Sequence, residues 1–178
     1  MVNHTDFSFK ELTVDYEPLV LSWLKMPHVN EWFHGEGLEN TIQGIRSYLE
    51  GKRPNHKGYV VFFKEVPFAY IMVNQLTKDD YVSPTSFYKK WIEKDFQYIT
   101  MDLFIGDKEY LGRGLACPMI SVFIATHCAD VKGIFIDPES TNHKAIHVYE
   151  KVGFQKIDSF IAPWHPVPHT LMLKTVSQ

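Results

Sequence analysis

Apolar residues follow two spacings along this chain, period two and helical, and their alternation lays out a mixed α/β order. Phe7 and Phe9 alternate with polar neighbours and predict a first strand. Leu19, Val20, Trp23 and Leu24 recur at helical intervals behind Asp15, which can cap that helix, and Pro27 is expected to stop it. A loop then carries two bulky rings, Trp32 and Phe33, next to Gly35 and Gly37. Leu38, Ile42, Ile45 and Leu49 predict a second helix, ended by Gly51 and Pro54. Gly58 to Phe63 reads as a strand, Val66-Pro67 as a hairpin turn, and Phe68 to Asn74 as the returning strand. Residues 76–97 are polar and aromatic without a clean period and read as an insertion with one short helix around Phe87 to Ile92. Next come a strand over Tyr98 to Ile105, a helix over Gly114 to Ala129 and a short buried strand over Ile134 to Ile136. A helix over Asn142 to Lys151 ends at Gly153, and Phe154 to Phe160 pairs with Thr170 to Leu173 around a proline-rich loop. There is no internal repeat and no linker, so residues 1–178 are expected to form one mixed α/β domain.

Composition narrows the class. Charged residues make up 22% and apolar residues 45% of the chain, an ordinary balance for a soluble globular protein. A net charge of −3 argues against a nucleic-acid binder and suits a cationic substrate, because an acidic cleft concentrates cations. Aromatics are high at 15%; most should fill the core, and some can line a pocket for sugars or flat ligands. Cys117 and Cys128 fall on one predicted helix, too far apart to bridge, and are expected to be free thiols in a reducing compartment. With no signal peptide or long apolar run at the N-terminus, a cytoplasmic location away from membranes is expected.

The chemistry concentrates in Ile99 to Ala116, read as a strand, a glycine-bearing turn and a helix start. Gly112, Gly114 and Ala116 are small enough for backbone N–H groups to approach a phosphate beside the positive end of the helix, with Arg113 at the rim. A plain turn into a helix would use the same glycines. On the strand, Ile99, Met101, Leu103 and Ile105 share one face and should meet the core. Thr100, Asp102 and Phe104 share the other and are expected to face a cleft. Asp102 is thus either a solvated carboxylate or a general base beside an anion site. The nine histidines show no metal-ligand spacing apart from His143 and His147, which have no third ligand nearby, so no metal is expected.

A second motif makes the reading specific. Asp137-Pro…Asn142…Ala145-Ile146…Tyr149-Glu-Lys-Val-Gly-Phe154 resembles the C-terminal signature of GCN5-related N-acetyltransferases, with the glycine turn where that superfamily holds the acetyl-CoA pyrophosphate. Within it, Trp23-Leu…His28…Glu31-Trp32-Phe33 and Ile99-Thr-Met-Asp102 are most similar to aminoglycoside 6′-N-acetyltransferases. The resemblance runs over about residues 19–173 and is weakest in 76–97.

It implies a fold of six to seven mostly antiparallel strands, splayed at the acetyl-CoA site and flanked by about four helices. It implies acetyl-CoA as cofactor, bound by Phe104, Ile105, Leu111, Gly112, Arg113, Gly114, Leu115, Ala116, Asn142, Ala145 and Tyr149. Asp102 would act as general base, a backbone N–H from Phe104 or its neighbour would meet the oxyanion, and Tyr149 would be the general acid for the leaving thiolate. Trp32, Phe33, Asp102 and Asp137 would bind the acceptor, a small polycationic amine. Blander roles stay open: Asn142 as a helix cap, Tyr149 as a core tyrosine, Asp137 as a turn residue, and Trp32 and Phe33 as a staple for the following helix. Two departures stand out: Leu111 occupies a position that is often Gln or Arg, and Phe33 replaces an indole.

Other branches compete. Siderophore-type hydroxylysine N-acyltransferases typically carry a histidine where this chain has Asp102, and protein N-terminal acetyltransferases tend to place Ser where Ala145 stands. A non-catalytic acyl-CoA-binding module would not need both Asp102 and Tyr149. A monomer or weak homodimer is expected, with the oligomeric state left open because no stripe reads clearly as an interface.

Overall fold

The computed structural model describes residues 3–163 and 165–176. Among them, strands β1 (Phe7–Glu11), β2 (His56–Phe63), β3 (Val66–Gln75), β4 (Tyr98–Ile105), β5 (Gly133–Ile136), β6 (Gln155–Ala162) and β7 (His165–Thr175) build one sheet. Their order is β1-β2-β3-β4-β5-β7-β6, and β4–β5 is the one parallel pair. The α-helices are α1 (Glu17–Leu24), α2 (Pro27–Asn30), α3 (Gly35–Leu49), α4 (Lys78–Val82), α5 (Ala116–His127) and α6 (His143–Val152). None is long and apolar enough to cross a membrane.

Helices cover both faces of the sheet. On one, α5 and α6 lie over Val61, Ile71, Ile99, Met101 and Ile134. On the other, α1 and α3 bury Val60, Tyr70 and Phe104 with Trp23 and Ile45. Phe104 packs in this second core and also reaches a cavity, as expected from its face of the strand: its ring meets those of Phe33 and Tyr70 at 5.3 and 5.7 Å. Ile99 and Met101 are buried as the alternation requires, while Leu103 and Ile105 are half-buried along a cavity.

Local chemistry corrects several expected boundaries. Asp15 does not cap α1; Tyr16 holds that position without a side-chain bond, and Pro18 sets the first turn. Pro27 does not merely end α1, which stops at Leu24, but opens the short α2. The β2–β3 turn is Lys64-Glu65, both at positive φ, and Val66-Pro67 already lies in β3 opposite a register shift at Val61/Phe62 that tolerates the proline. In 76–97 the Phe87–Ile92 helix shrinks to a 3-10 turn at Lys89–Trp91. The α4 helix forms instead, its start bonded from Thr77 N and Oγ1 to Asp80 Oδ2. The expected proline-rich loop is largely strand. Pro166 and Pro168 fit because β7 has run past the end of β5 there. Trp164, in the same stretch, lies outside the described residues.

Candidate functional site

The site begins where two parallel strands stop pairing. β4 and β5 pair through Tyr98↔Gly133, Ile99↔Ile134 and Thr100↔Phe135, and the ladder ends there. Two residues further on in each segment stands a carboxylate, Asp102 on β4 and Asp137 just past the end of β5. Gly106 N–H donates to Phe68 on β3, and Leu76 N–H donates to Tyr98. By strand alternation, the backbone groups of 98, 100, 102, 104 and 106 all point to β3. Those of Leu103 and Ile105 point the other way, into the gap that β5 has left. The Phe104 N–H is thus committed to the sheet, and its neighbours offer the free donors.

A cavity of about 620 Å³ occupies this gap. It is lined by Asp102, Phe104, Ile105, Asp137, Asn142, Ala145, Tyr149, Trp32 and Phe33, and by Leu111, Gly112, Gly114, Leu115 and Ala116. Every residue expected to bind the cofactor or the acceptor or to act in catalysis reaches its wall except Arg113, whose guanidinium stacks 5.1 Å over the Tyr110 ring; Thr100, expected on the cleft face, is not among the lining residues and lies against Asn74 instead. His143 and His147 are exposed on α6 and are not among the lining residues.

One half of the cavity is a backbone cradle. Gly112 and Gly114 sit at φ +70° and +72°, conformations that turn successive N–H groups outward, and open space surrounds each where a Cβ would stand. The α5 start has no side-chain cap, which leaves the Ala116 and Cys117 N–H groups for a ligand. Pro118 has no N–H to leave orphaned. These features fit a pyrophosphate. Asn142 does cap α6, its Oδ1 accepting from Ala145 N at 3.1 Å, and it lines the cavity as well.

The other half is acidic. Burial moves the Asp102 carboxyl from 3.8 up to about 6. Burial, and then the charge of Asp102, hold Asp137 well above its usual range. The Tyr149 phenol is pushed far up by burial and by both acids, so it stays protonated at neutral pH. Tyr88, from the 76–97 segment, is likewise raised by burial and then by Asp137 and Asp102, and its ring lies 4.9 Å from that of Phe135. Cys117 and Cys128 are free, and burial pushes the Cys128 thiol up to about 12.

Sequence reading missed several wall residues. His28 Nε2 lies 3.0 Å from Ile105 O, at the open edge of β4. Glu139, two residues past Asp137, meets both His34 and His165 at 2.8 Å. His165 and His169 project on one face of β7, a period-two signal hidden among prolines.

Comparison with known proteins gives three kinds of match. The model of the acetyltransferase (GNAT) domain family covers residues 14–161. The crystal structure of an aminoglycoside N(6′)-acetyltransferase from Legionella pneumophila is 38% identical, covers 96% of this chain and 92% of that one, and superposes with a TM-score of 0.82. Aminoglycoside N(6′)-acetyltransferase type 1 of Klebsiella pneumoniae is 23% identical over 98% of this chain and 87% of its own length. AAC(6′)-Ib in complex with paromomycin and acetyl-CoA shares the fold at a TM-score of 0.74 and 20% identity, over 96% and 93% of the two chains.

Proposed function

The chain belongs to the GNAT acetyltransferase family, and from that premise we propose that it moves the acetyl group of acetyl-CoA to a primary amine of a polycationic small molecule, the 6′-amine of an aminoglycoside. The observation that carries this reading is the β4–β5 gap: two facing carboxylates at its mouth, a glycine cradle on one side and a protonated tyrosine on the wall.

The cradle of Gly112, Gly114 and the α5 N-terminus would hold the pyrophosphate, and the thioester of the bound cofactor supplies the acyl group. Asp102 and Asp137 hold cationic amines, and Trp32 offers a ring face for a sugar. Phe33 is partly spent on packing against Phe104. Asp102, ionised above about pH 6, takes the proton of the attacking amine directly or through a water. An N–H of Leu103 or Ile105, turned into the gap, would be the donor available to a thioester oxygen held there. Tyr149, kept as a phenol on the cavity wall, would supply a proton to the leaving thiolate of a bound cofactor. The acids at the gap favour a cationic amine, and Asp102 stands where siderophore-type acyltransferases place a histidine.

The test is thiol release from acetyl-CoA with kanamycin or tobramycin as acceptor, read against a hydroxylysine and an N-terminal peptide. Saturable turnover with the aminoglycoside supports the proposal. Turnover confined to either alternative acceptor rejects it in favour of that branch. Bound cofactor without turnover of any amine would leave an acyl-CoA-binding module.

A further inference from the structure

We propose that His34, Glu139 and His165 form a binding site for one divalent transition-metal ion, zinc in the first instance, on the wall of the acceptor half of the cavity. Their donor atoms, two imidazole nitrogens and one carboxylate oxygen, lie within 4.8 Å of one another. Two histidines and a glutamate with an open fourth position form a donor set suited to zinc.

The geometry is more than proximity. Both rings aim Nε2 at the same oxygen, Glu139 Oε1, each at 2.8 Å. Two hydrogens now converge on that oxygen, one from each ring. A cation can replace both once each imidazole carries its hydrogen on Nδ1. The ring centroids are 4.7 Å apart and inclined at 56°, so the rings converge from different directions rather than stacking flat.

The three donors come from separate segments that the fold fixes independently. His34 is the residue on which α3 begins. Glu139 lies in the β5–α6 loop, which is laced to β7 by Ser140 N–H to Pro168 O at 2.8 Å, Thr170 N–H to Pro138 O at 2.9 Å and a bridge between Glu139 and His169. His165 opens β7. Two donors are well enclosed, with 12% of the Glu139 side chain and 11% of the His165 side chain exposed, while His34 keeps 40%. That asymmetry describes a preformed half-site with one open side, through which an ion can exchange. All three residues line the cavity. An ion there would add positive charge where a cationic acceptor must pass and raise its KM. That last consequence rests on the proposed acceptor; ion binding does not.

The experiment titrates chelator-treated full-length protein with Zn²⁺ by calorimetry and with Co²⁺ by visible absorption. One ion per chain is expected, with micromolar or tighter affinity, tetrahedral Co²⁺ bands and no thiolate charge-transfer band. His34→Ala and Glu139→Gln should each weaken binding by about tenfold or more, with near-wild-type circular dichroism. His147→Ala, on the exposed α6 pair, and Cys117→Ser should leave it unchanged. Absence of saturable binding, binding indifferent to His34→Ala and Glu139→Gln, or binding lost with His147→Ala or Cys117→Ser would each overturn the assignment. Thiol release in metal-free buffer tests the acceptor separately, so the two readings fail independently.

Discussion

Replacing Asp102 by asparagine should make this protein more stable and far less active at the same time. Burial raises the carboxyl from 3.8 to about 6, which means that the fold disfavours the ionised group by about 3 kcal/mol relative to the unfolded chain. The sign follows from proton counting. Between those two values the folded state holds the proton more tightly than the unfolded one, so stability falls as pH rises through the interval. The cost is absent below 3.8 and fully present above about 6. Asparagine keeps the shape and removes the charge, but its amide must still be buried, so a gain of about 1–3 kcal/mol at pH 8 is expected. For a chain of this length each kcal/mol moves Tm by about 2–4 °C. Calorimetric melting at pH 8 and pH 4 should show the gain at the first pH and lose most of it at the second. In the thiol-release assay, kcat should fall on the order of 10²-fold or more with cofactor affinity kept. The wild-type rise of kcat/KM through about pH 6, a property of the Asp102–Asp137 pair, should also disappear. An unchanged or lowered Tm at pH 8 would refute the burial argument, and an unchanged kcat would remove Asp102 from the mechanism.

Tyr149→Phe keeps the ring that packs 5.9 Å from Phe154 and removes the acid. It should lower kcat by about 10²-fold with little change in acetyl-CoA binding, measured by steady-state kinetics alongside cofactor titration. Gly114→Ala imposes a side chain at φ +72° in open space, so it should raise the KM for acetyl-CoA several-fold while Tm moves by no more than a few degrees; an unchanged KM would detach the cradle from the cofactor. Gly58→Ala puts a Cβ 1.9 Å from the hydroxyl of the fully buried Tyr70 and should cost about 1–3 kcal/mol in denaturant unfolding. Kanamycin binding at pH 6, followed by calorimetry in two buffers of different ionisation enthalpy, should release protons from the acid pair. Proton uptake, or release that survives when Asp102→Asn and Asp137→Asn are combined, would contradict that.

The elements that build the cofactor half were legible because their determinants are local. The Tyr98–Ile105 strand appears with the bounds its alternation predicted, and Asn142 and Gly153 bracket α6 as cap and terminator. The positive φ of Gly112 and Gly114 follows from the residue type. The acceptor half was not legible because its determinants are tertiary. Phe104 reaches the cavity as period two predicts, but its burial under α1 and α3 is set by tertiary packing that the strand pattern does not encode. Leu103 and Ile105 differ from Phe104 as donors only through which neighbour each faces, which requires knowing that β5 ends at Ile136. His34, Glu139 and His165 stand 105 and 26 residues apart and meet only through the sheet order. Local chemistry misled at the β2–β3 turn, where Pro67 drew attention from Lys64-Glu65.

The strand register also bears on whether the chain only holds acyl-CoA. A binding module needs the cradle, the α5 N-terminus and a groove for the pantetheine arm. It has no use for two half-buried carboxylates at one level past the end of a parallel ladder. Those groups repel each other, and Asp102 alone disfavours its charged form by about 3 kcal/mol. A domain whose total stability is about 5–15 kcal/mol does not carry such a cost cheaply. The cost is offset when a cation sits between the acids, because an ammonium favours both ionised forms and lowers both pKa values. The same event leaves Asp102 deprotonated beside an amine that must lose a proton before it can attack. In the proposed reaction, acceptor charge and base activation would therefore be linked through one pair of residues, a linkage that would favour a polycationic substrate over a neutral amine.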